Sequence, residues 1–562
     1  MPVITCTNSA SDKNVSTALV AQTAIRLLGL FLLCSTFAYS PSAYSQIDIS
    51  SYAPHRFLVI YRNAVIPADA EARAAAMGAR LTQRSVHLGI AAVQSPASQD
   101  DATTLRLLLA QPNVAYVLHD RIVTAQRLRL RAIAPADSGA GIFESSTGTA
   151  SQIGKLPTHG AILTVPPPTI QLTPPNPPYD TYYTSTPQGW AVQQVGGYGN
   201  NVPGGPAQGP WDTTMGKGVR IAILDSGVDE THPDIAANLA LNLSEINQDP
   251  QTGYPSACDD GSPQDQSGHG TWTASLAAGA IGPGTGQVIG VAPAATILNI
   301  KVLQRMPATT PGTTTAQQCE AGEASGLLSW VMQGIEDAIT NRADVISLSI
   351  GATADLSTGD GAALLAAFNQ ITYAADQANI VVVASAGNDG LDLSNPRYVE
   401  LPAQSRDVLA LVASTNPGCA QNTNAGALCT SGPVSLAYYS NHGTPLDALA
   451  APGGSYPEGG DTAVSGWILG ACSSGLPNTV DGMPTDTAHS FGCFNLGHTG
   501  YVQAIGTSAS APLAAGAAAL LRAAHPTWTA DTIVSALRNS AVPAPGLPFP
   551  QISAAAALTS AP

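Results

Sequence analysis

The feature that most constrains the fold is a series of short, continuously apolar runs that alternate with helical stretches from Gly218 onward. The runs are VRIAIL (219–224), TILNIKV (296–302), DVISLSI (344–350), IVVVASA (380–386) and VLALVA (408–413). Strands that are apolar at every position are typical of a sheet covered on both faces. The pattern therefore predicts an α/β fold with a doubly wound, mostly parallel sheet. In such sheets, ligands and substrates bind at the carboxyl ends of the strands.

The chain before this region divides into three further segments. Residues 46–123 contain a small α+β unit, in which we expect strands at RFLVIYR, SVHLGIAAVQ and NVAYVLHDRIV and helices at ADAEARAAAMGARL and DDATTLRLLLAQ. Residues 124–180 are rich in Pro, Gly, Ser and Thr, and this composition predicts an exposed linker. Residues 181–562 then form the large α/β domain.

Residues 1–45 have the character of a secretory signal peptide. Lys13 and Arg26 precede the apolar run LLGLFLLC, and small residues follow up to a cleavage point after Ser45. A buried helix is the alternative interpretation. The run is too short for a confident membrane span, and no later segment approaches eighteen apolar residues. We therefore expect a secreted protein, extracellular or in transit through a periplasm, with no membrane span after the signal is removed.

The charge is unevenly distributed along the chain. The net charge is −16, yet residues 46–131 contain ten Arg against six acidic residues, whereas residues from 181 onward contain 28 acidic residues against nine Lys plus Arg. Because nucleic acid binding needs clustered basic side chains, this acidic domain is not expected to bind nucleic acid. The opposite charges suggest that the basic unit docks on the acidic domain.

The cysteines outside the leader form an even set, which suits disulfides in an oxidising compartment. Proximity along the chain favours Cys419 with Cys429 and Cys472 with Cys493, which leaves one further pair, Cys258 with Cys319. Proximity is a weak criterion, so other pairings stay open. Metal ligation is the rival interpretation, but the chain has no CxxC pair or His-rich spacing to support it.

Four polar residues stand at a predicted strand end or helix start. Asp225 follows VRIAIL, His269 lies between two glycines, Asn388 follows IVVVASAG, and Ser508 follows a Gly-Thr pair before a helix of small residues. Each alone could be structural, as a loop cap, a core histidine, a turn residue or a small packing residue. Together they supply an acid, a base, an amide donor and a nucleophile. The chain order Asp, His, Ser is that of subtilisin, unlike the orders in chymotrypsin and the α/β-hydrolases.

The segments that carry these residues resemble the subtilisin family of serine peptidases over about residues 218–541. The matching signatures are DSGVDETHPD, GHGTWTAS and GTSASAP, and the 46–123 unit resembles the family's inhibitory propeptide. The resemblance implies that Ser508 is the nucleophile, His269 the general base and Asp225 the residue that orients His269. It also implies that Asn388 donates to the oxyanion. The chain would then be an autoprocessed zymogen that hydrolyses peptide bonds through an acyl-enzyme.

The resemblance also implies the substrate-binding residues. They are Gly326, beside the extended substrate backbone, and the two walls of the specificity pocket, Ser349, Ile350 and Gly351 on one side and Ser385, Ala386 and Gly387 on the other. No organic cofactor is implied, and Asp234 matches a calcium-binding aspartate, although the partner loop GPGTGQVIGVAP departs from the family pattern. The partners we expect are protein or peptide substrates and the chain's own propeptide. We expect the protein to be a monomer.

Two rival functions remain at this point. A sedolisin shares the fold but uses a Glu base, and His269 in GHGT argues against it. A catalytically silent binding protein on the same scaffold is disfavoured because all four catalytic groups are present. The sequence leaves open the cleavage preference, the function of the insertion over residues 417–500, and the point between residues 123 and 175 at which the propeptide is cut.

Overall fold

The computed structural model describes residues 52–125, 129–132, 179–184, 189–202, 207–246, 254–308, 313–416, 434–454, 466–475, 493 and 500–560, with only the backbone for 129–132. The predicted signal peptide, most of the predicted linker, the Cys419–Cys429 pair and most of the 417–500 insertion lie outside these residues. Within the described part of the chain, no helix is long and apolar enough to cross a membrane.

The strands of the described residues are numbered in chain order. They are β1 Tyr52–Tyr61, β2 Arg80–Ser85, β3 Ile90–Gln94, β4 Val114–Ala125, β5 Arg129–Ala132, β6 Arg220–Asp225, β7 Leu239–Ser244, β8 Thr296–Lys301, β9 Gln304–Met306, β10 Glu323–Leu327, β11 Val345–Leu348, β12 Ile350–Asp355, β13 Val381–Ser385, β14 Tyr398–Leu401, β15 Val408–Thr415, β16 Ser435–Leu436, β17 Ala448–Pro452, β18 Ile468–Ala471 and β19 Tyr501–Ile505.

The α-helices of the same residues are numbered in the same way. They are α1 Ala70–Ala76, α2 Asp101–Leu109, α3 Thr181–Thr184, α4 Trp190–Val195, α5 Pro233–Ala236, α6 His269–Ala278, α7 Thr315–Glu320, α8 Leu328–Thr340, α9 Gly359–Gln377, α10 Thr507–Ala524, α11 Ala530–Asn539 and α12 Ala554–Thr559.

The five apolar runs form the centre of a parallel sheet, as predicted. The order is β17, β15, β13, β11, β6, β8, β7, with every neighbouring pair parallel, and the short β16 adds antiparallel to β15. Side chains of β6 alternate between two cores: Ile221 and Ile223 on one face, Ala222 and Leu224 on the other. Helices α6 and α10 cover the first face, and α8 and α9 cover the second. Burial on both faces explains why these strands show no polar alternation.

Residues 52–125 form an antiparallel sheet with the order β4, β1, β3, β2 and two helices. This agrees with the predicted α+β unit except around residues 77–89. The helix expected over ADAEARAAAMGARL ends at Ala76, and Arg80–Ser85 is an additional strand. The reason is Gly78, whose φ of +74° takes the chain into the left-handed region that ends a helix. A second turn at Gly89, φ +63°, separates this strand from β3.

Two disulfides occur among the described residues. They join Cys258 to Cys319 and Cys472 to Cys493. Proximity along the chain predicted the second pair, and the first is the pair that this assignment left over. The first connects the loop before His269 to helix α7, and the second connects the residue that follows β18 to Cys493.

Candidate active site

Asp225 is the last residue of β6, at the carboxyl edge of the central sheet. Its side chain is buried, with 1% of its surface exposed. The Ser226 N–H donates to Oδ1 at 2.7 Å, and the Thr273 hydroxyl donates to Oδ2 at 3.1 Å. The carboxylate is thus held in one orientation by donors from the strand end and from helix α6.

His269 is the first residue of helix α6 and lies against this carboxylate. Its Nδ1 is 2.7 Å from Asp225 Oδ1, although 44 residues separate the two along the chain. The carboxylate acceptor favours the tautomer with its proton on Nδ1, which leaves Nε2 as the proton-accepting atom. The close approach depends on glycine, because a Cβ at Gly270 would collide with the carbonyl oxygen of Gly227.

Asp265 also positions His269, although the sequence analysis did not single it out. Its buried carboxylate accepts the Ser226 hydroxyl at 2.9 Å, the Gly268 N–H at 2.7 Å and the Thr271 N–H at 2.9 Å. Burial raises the pKa of Asp265, and these hydrogen bonds act in the opposite direction. The residue ties the strand end after Asp225 to the turn before His269. An acidic residue four positions before a Gly-flanked histidine was the available signal.

Ser508 is the second residue of α10, a helix that is buried over its first turns. Its hydroxyl has no hydrogen-bond partner among the residues that the structure describes, and the side chain is fully buried. The Ser349 hydroxyl donates to the Ser508 carbonyl at 3.0 Å, which joins one predicted pocket wall to the start of the helix. At a helix N-terminus, the N–H groups that have no acceptor within the helix favour negative charge nearby.

Ser510, two positions on, has a different environment. Its hydroxyl donates to the carbonyl of Ala451 at 3.0 Å and lies 3.3 Å from that of Pro452. The residue is fully buried. Ser510 is therefore a packing residue whose polar group is satisfied by β17.

Asn388 lies directly beside the start of α10. Its Oδ1 accepts both the Thr507 N–H at 2.8 Å and the Thr507 hydroxyl at 2.7 Å. The two Thr507 donors thus fix which end of the Asn388 amide is Oδ1 and which is Nδ2. The preceding residue, Gly387, has a φ of +102°, and a Cβ there would collide with the side chain of Asn441. The turn that aims Asn388 thus requires glycine.

Strands β10 and β12, which carry the predicted substrate-binding residues Gly326, Ile350 and Gly351, lie on either side of the chain's own strand β4. Gly326 of β10 pairs with Val123, and Gly351 of β12 pairs with Thr124, both antiparallel. Ile350 pairs with Ala125. A Cβ at Gly326 would collide with the carbonyl oxygen of Val302, the residue that follows β8. The segment Val123–Ala125 therefore occupies the position expected for an extended substrate backbone.

The second predicted wall follows β13. Ser385, Ala386 and Gly387 come directly before Asn388, and the first two are fully buried. The Ala386 N–H donates to the Leu411 carbonyl at 2.9 Å, which holds the turn against β15. Within the described residues, the Ser385 hydroxyl has no hydrogen-bond partner.

Asp234, which matches a calcium-binding aspartate of the family, is fully buried at the start of α5. Its carboxylate accepts the N–H groups of Gly286 at 2.8 Å and Gln287 at 3.2 Å, and the Tyr501 hydroxyl at 3.0 Å. Calcium is bound by oxygen lone pairs, whereas these are N–H and O–H donors aimed at the carboxylate. In this arrangement, the residues around Asp234 do not fit a calcium ion. The aspartate instead anchors the loop that departs from the family pattern.

Comparison with known proteins connects this geometry to a family. The model of the subtilase family (peptidase S8) matches residues 216–556, and that of the fervidolysin N-terminal prodomain matches residues 40–118. The chain belongs to the subtilase family. Both matches agree with the resemblance that the sequence motifs carry. The subtilase region contains Asp225, His269, Asn388 and Ser508, and the prodomain match covers β1, β2, β3 and the start of β4.

Individual relatives are distant. Subtilisin E of Bacillus subtilis (strain 168) is 29% identical to this subtilase over 326 residues, which cover 58% of this chain and 61% of that protein. Thermitase of Thermoactinomyces vulgaris is 34% identical over 224 residues, covering 40% of this chain and 63% of thermitase. Each match thus spans less than two thirds of the relative's length.

Two solved structures share the fold of this subtilase. The structure of fervidolysin from Fervidobacterium pennivorans, a keratinolytic enzyme related to subtilisin, has a TM-score of 0.55 at 18% identity and covers 91% of this chain and 62% of that one. The epidermin leader peptide processing serine protease of Staphylococcus aureus has a TM-score of 0.54 at 17% identity, over 90% of this chain and 97% of that one.

Proposed function

We propose that this subtilase is a secreted serine endopeptidase that is made as a self-inhibited precursor. The observation that carries the proposal is the 2.7 Å contact between Asp225 and His269, in a chain whose Ser508 begins a buried helix beside Asn388. The leader composition supports export, and the family membership supports peptide-bond hydrolysis.

In the proposed mechanism, Ser508 Oγ attacks the scissile carbonyl carbon while His269 Nε2 takes the hydroxyl proton. Asp225 holds the imidazole and stabilises its cation. The tetrahedral oxyanion accepts from Asn388 Nδ2 and from the Ser508 N–H at the helix start. His269 then gives its proton to the leaving amine as the C–N bond breaks. Water hydrolyses the resulting ester and restores the serine.

We further propose that residues 52–125 inhibit this site until they are released. The pairing of Val123–Ala125 with both sides of the cleft blocks substrate, and polar contacts hold the unit on helices α8 and α9. Asp120 accepts the Ser329 N–H at the start of α8, and Arg121 lies 3.3 Å from Asp360 of α9. His87 Nδ1 lies 2.6 Å from Glu336. The Arg121–Asp360 ion pair supports the charge complementarity expected from the sequence.

No organic cofactor is needed for this chemistry, and we expect the donors around Asp234 to make that loop independent of calcium. The protein is proposed to act on extended protein or peptide segments, because the cleft walls offer backbone pairing as well as a side-chain pocket. We propose that it works as a monomer.

Labelling at the nucleophile tests the proposed function. A serine-directed fluorophosphonate should add its mass at Ser508 of the processed protein, and Ser508→Ala should abolish both labelling and peptide hydrolysis. Ser510→Ala is the matched control, since it removes a hydroxyl of the same helix and should keep activity. Absence of labelling in a folded, processed protein would show a silent scaffold instead.

A further inference from the structure

A buried carboxylate lies beside the predicted specificity pocket. Glu400 is the third residue of β14, which pairs antiparallel with β12 so that Glu400 is opposite Thr353. Only 2% of its surface is exposed. Glutamate is rarely buried to this degree, because an ionised carboxylate is costly to remove from water unless its charge is compensated. The position of Glu400 therefore suggests a function for its charge.

The Glu400 side chain lies next to both walls of this pocket. Gly351 and Thr353 are two residues apart on β12, so both face the same side of the sheet, and Glu400 opposite Thr353 faces that side too. At the other wall, the Glu400 carboxyl carbon is 3.4 Å from the position that a Cβ on Gly387 would occupy. Two independent contacts thus place the carboxylate where the walls meet.

Two neutral donors lie close to this carboxylate. The Thr353 hydroxyl donates to Glu400 Oε2 at 2.8 Å. Asn441 Nδ2, which is fully buried and has no hydrogen-bond partner among the described residues, lies on the same side of Gly387 as Glu400. A hydroxyl and an amide can orient a carboxylate, but neither cancels its negative charge.

The pocket is adjacent to the groups that act on the scissile carbonyl. Gly387 directly precedes Asn388, the proposed oxyanion donor, and Ser349 of the opposite wall donates to the Ser508 carbonyl at 3.0 Å. The pocket therefore takes the side chain of the substrate residue whose carbonyl Ser508 attacks, which we call the attacked residue. A long side chain with a terminal cation can place its apolar stem between the walls and its charge at the carboxylate.

We propose that Glu400 makes this subtilase selective for substrates with lysine or arginine as the attacked residue, an inference that rests on the proposed function and specifies its substrate class. The ammonium or guanidinium group donates charge-assisted hydrogen bonds to Glu400. The Ser385 hydroxyl, which has no hydrogen-bond partner among the described residues, can accept a further N–H of that group. An apolar side chain would instead cover the carboxylate without supplying a cation, which disfavours such substrates.

The test compares peptides that differ only in the charge of the attacked residue. The processed wild-type enzyme should cut an arginine peptide with a kcat/KM about 30-fold or more above that of the matching citrulline peptide, because citrulline has nearly the same shape without the charge. Equal values for the two peptides, or a preference for leucine over arginine, would overturn the inference and leave the proposed function standing. If the folded, processed protein cut no peptide at all, the proposed function itself would be refuted.

A charge-removing variant assigns the selectivity to Glu400. Glu400→Gln keeps an oxygen for the Thr353 hydroxyl but has no charge, so kcat/KM for the arginine peptide should fall to the citrulline level while the citrulline peptide is cut as in the wild type. Asp389→Asn is the matched control, because Asp389 is an exposed carboxylate beside Asn388 and exposed charges contribute little. A Glu400→Gln enzyme that kept the arginine preference, or an Asp389→Asn enzyme that lost it, would contradict the assignment.

Glu400→Asp provides the test if the glutamine variant does not fold. It keeps the charge on a side chain that is one methylene shorter, so the carboxylate is withdrawn from the pocket. Because arginine reaches further than lysine, kcat/KM for a lysine peptide should fall more than that for the arginine peptide. Equal losses for the two peptides, or no loss for either, would show that Glu400 does not contact the substrate cation.

Discussion

Replacing Asn388 offers the sharpest test of the site, because its two ends have different functions in the structure. Its Oδ1 accepts two hydrogen bonds from Thr507, at 2.8 and 2.7 Å, and its Nδ2 is proposed to donate to the oxyanion. Removing an oxyanion donor lowers kcat by about 10²- to 10³-fold, or about 2.7–4 kcal/mol of transition-state stabilisation. Asn388→Ala should show this loss with little change in KM.

The loss of the Thr507 bonds adds a stability cost that can be separated from the catalytic one. Each neutral hydrogen bond contributes about 1 kcal/mol, so Asn388→Ala, which removes the two bonds to Thr507, should lower the free energy of unfolding by about 2 kcal/mol. Asn388→Asp keeps an oxygen for Thr507 but has no N–H, so it should lose kcat without the full loss of stability. Thr507→Val removes the Thr507 hydroxyl but keeps Asn388 Nδ2. This variant should therefore be less stable, with a decrease in kcat of less than about tenfold.

The assay compares two rates. One is the first-order rate of self-cleavage of the precursor, which needs no purified mature enzyme, and the other is kcat on a peptide substrate after processing. Denaturant unfolding of each variant on a Ser508→Ala background gives the stability. If Asn388→Asp kept the wild-type kcat, or if Thr507→Val lost as much kcat as Asn388→Ala, Asn388 would be a scaffold residue and the oxyanion assignment would be refuted.

Three further predictions concern stability and inhibition. Lys301 and Asp259 form a fully buried ion pair at 2.8 Å, so Lys301→Met should lower the free energy of unfolding, measured in denaturant, by about 3–5 kcal/mol. Arg538→Met removes one partner of an exposed ion pair and should lower it by less than about 1 kcal/mol. Equal losses in the two variants would contradict the reasoning. Burial raises the pKa of Asp180 to about 7, above its unfolded value of about 3.9. The folded state therefore binds more protons than the unfolded state between these pH values, and its stability should fall as pH rises through them. Asp180→Asn should flatten this decline in Tm against pH, and an unchanged slope would refute the assignment. Asp120→Asn weakens the hydrogen bonds between the prodomain and α8, which contribute about 1.5–3 kcal/mol. The dissociation rate of the cut prodomain should therefore rise about 10- to 100-fold. A rate equal to that of the wild type would contradict this prediction.

Much of the catalytic domain could be predicted from local patterns. Each apolar run is a parallel strand in the structure. A strand that is buried on both faces needs an apolar residue at nearly every position, so the run itself predicts the strand. The same local reasoning placed Asp225 at a strand end and His269 and Ser508 at helix starts, where the structure has them. It went wrong at residues 77–89, where alanine-rich composition suggested a longer helix and Gly78 ended it.

Other features depend on residues that are distant in the chain. Nothing near Asp234 in sequence shows that its carboxylate accepts N–H groups from a loop about fifty residues away. The function of Asp265 depends on the strand end after Asp225, and the orientation of Asn388 depends on Thr507, 119 residues further on. Such contacts are set by the packing of whole elements, so a local pattern can only suggest the residue type.

The sequence by itself determined the fold class, the family and the four chemical groups, because periodicity, burial and short motifs are properties of adjacent residues. Only the tertiary structure decided how the chain crosses its own cleft. Strand pairing between β4 and β10, or between β5 and β19, joins segments about 200 and 370 residues apart. The register of such pairs depends on where the two strands lie in space. The composition of either segment alone does not determine that position.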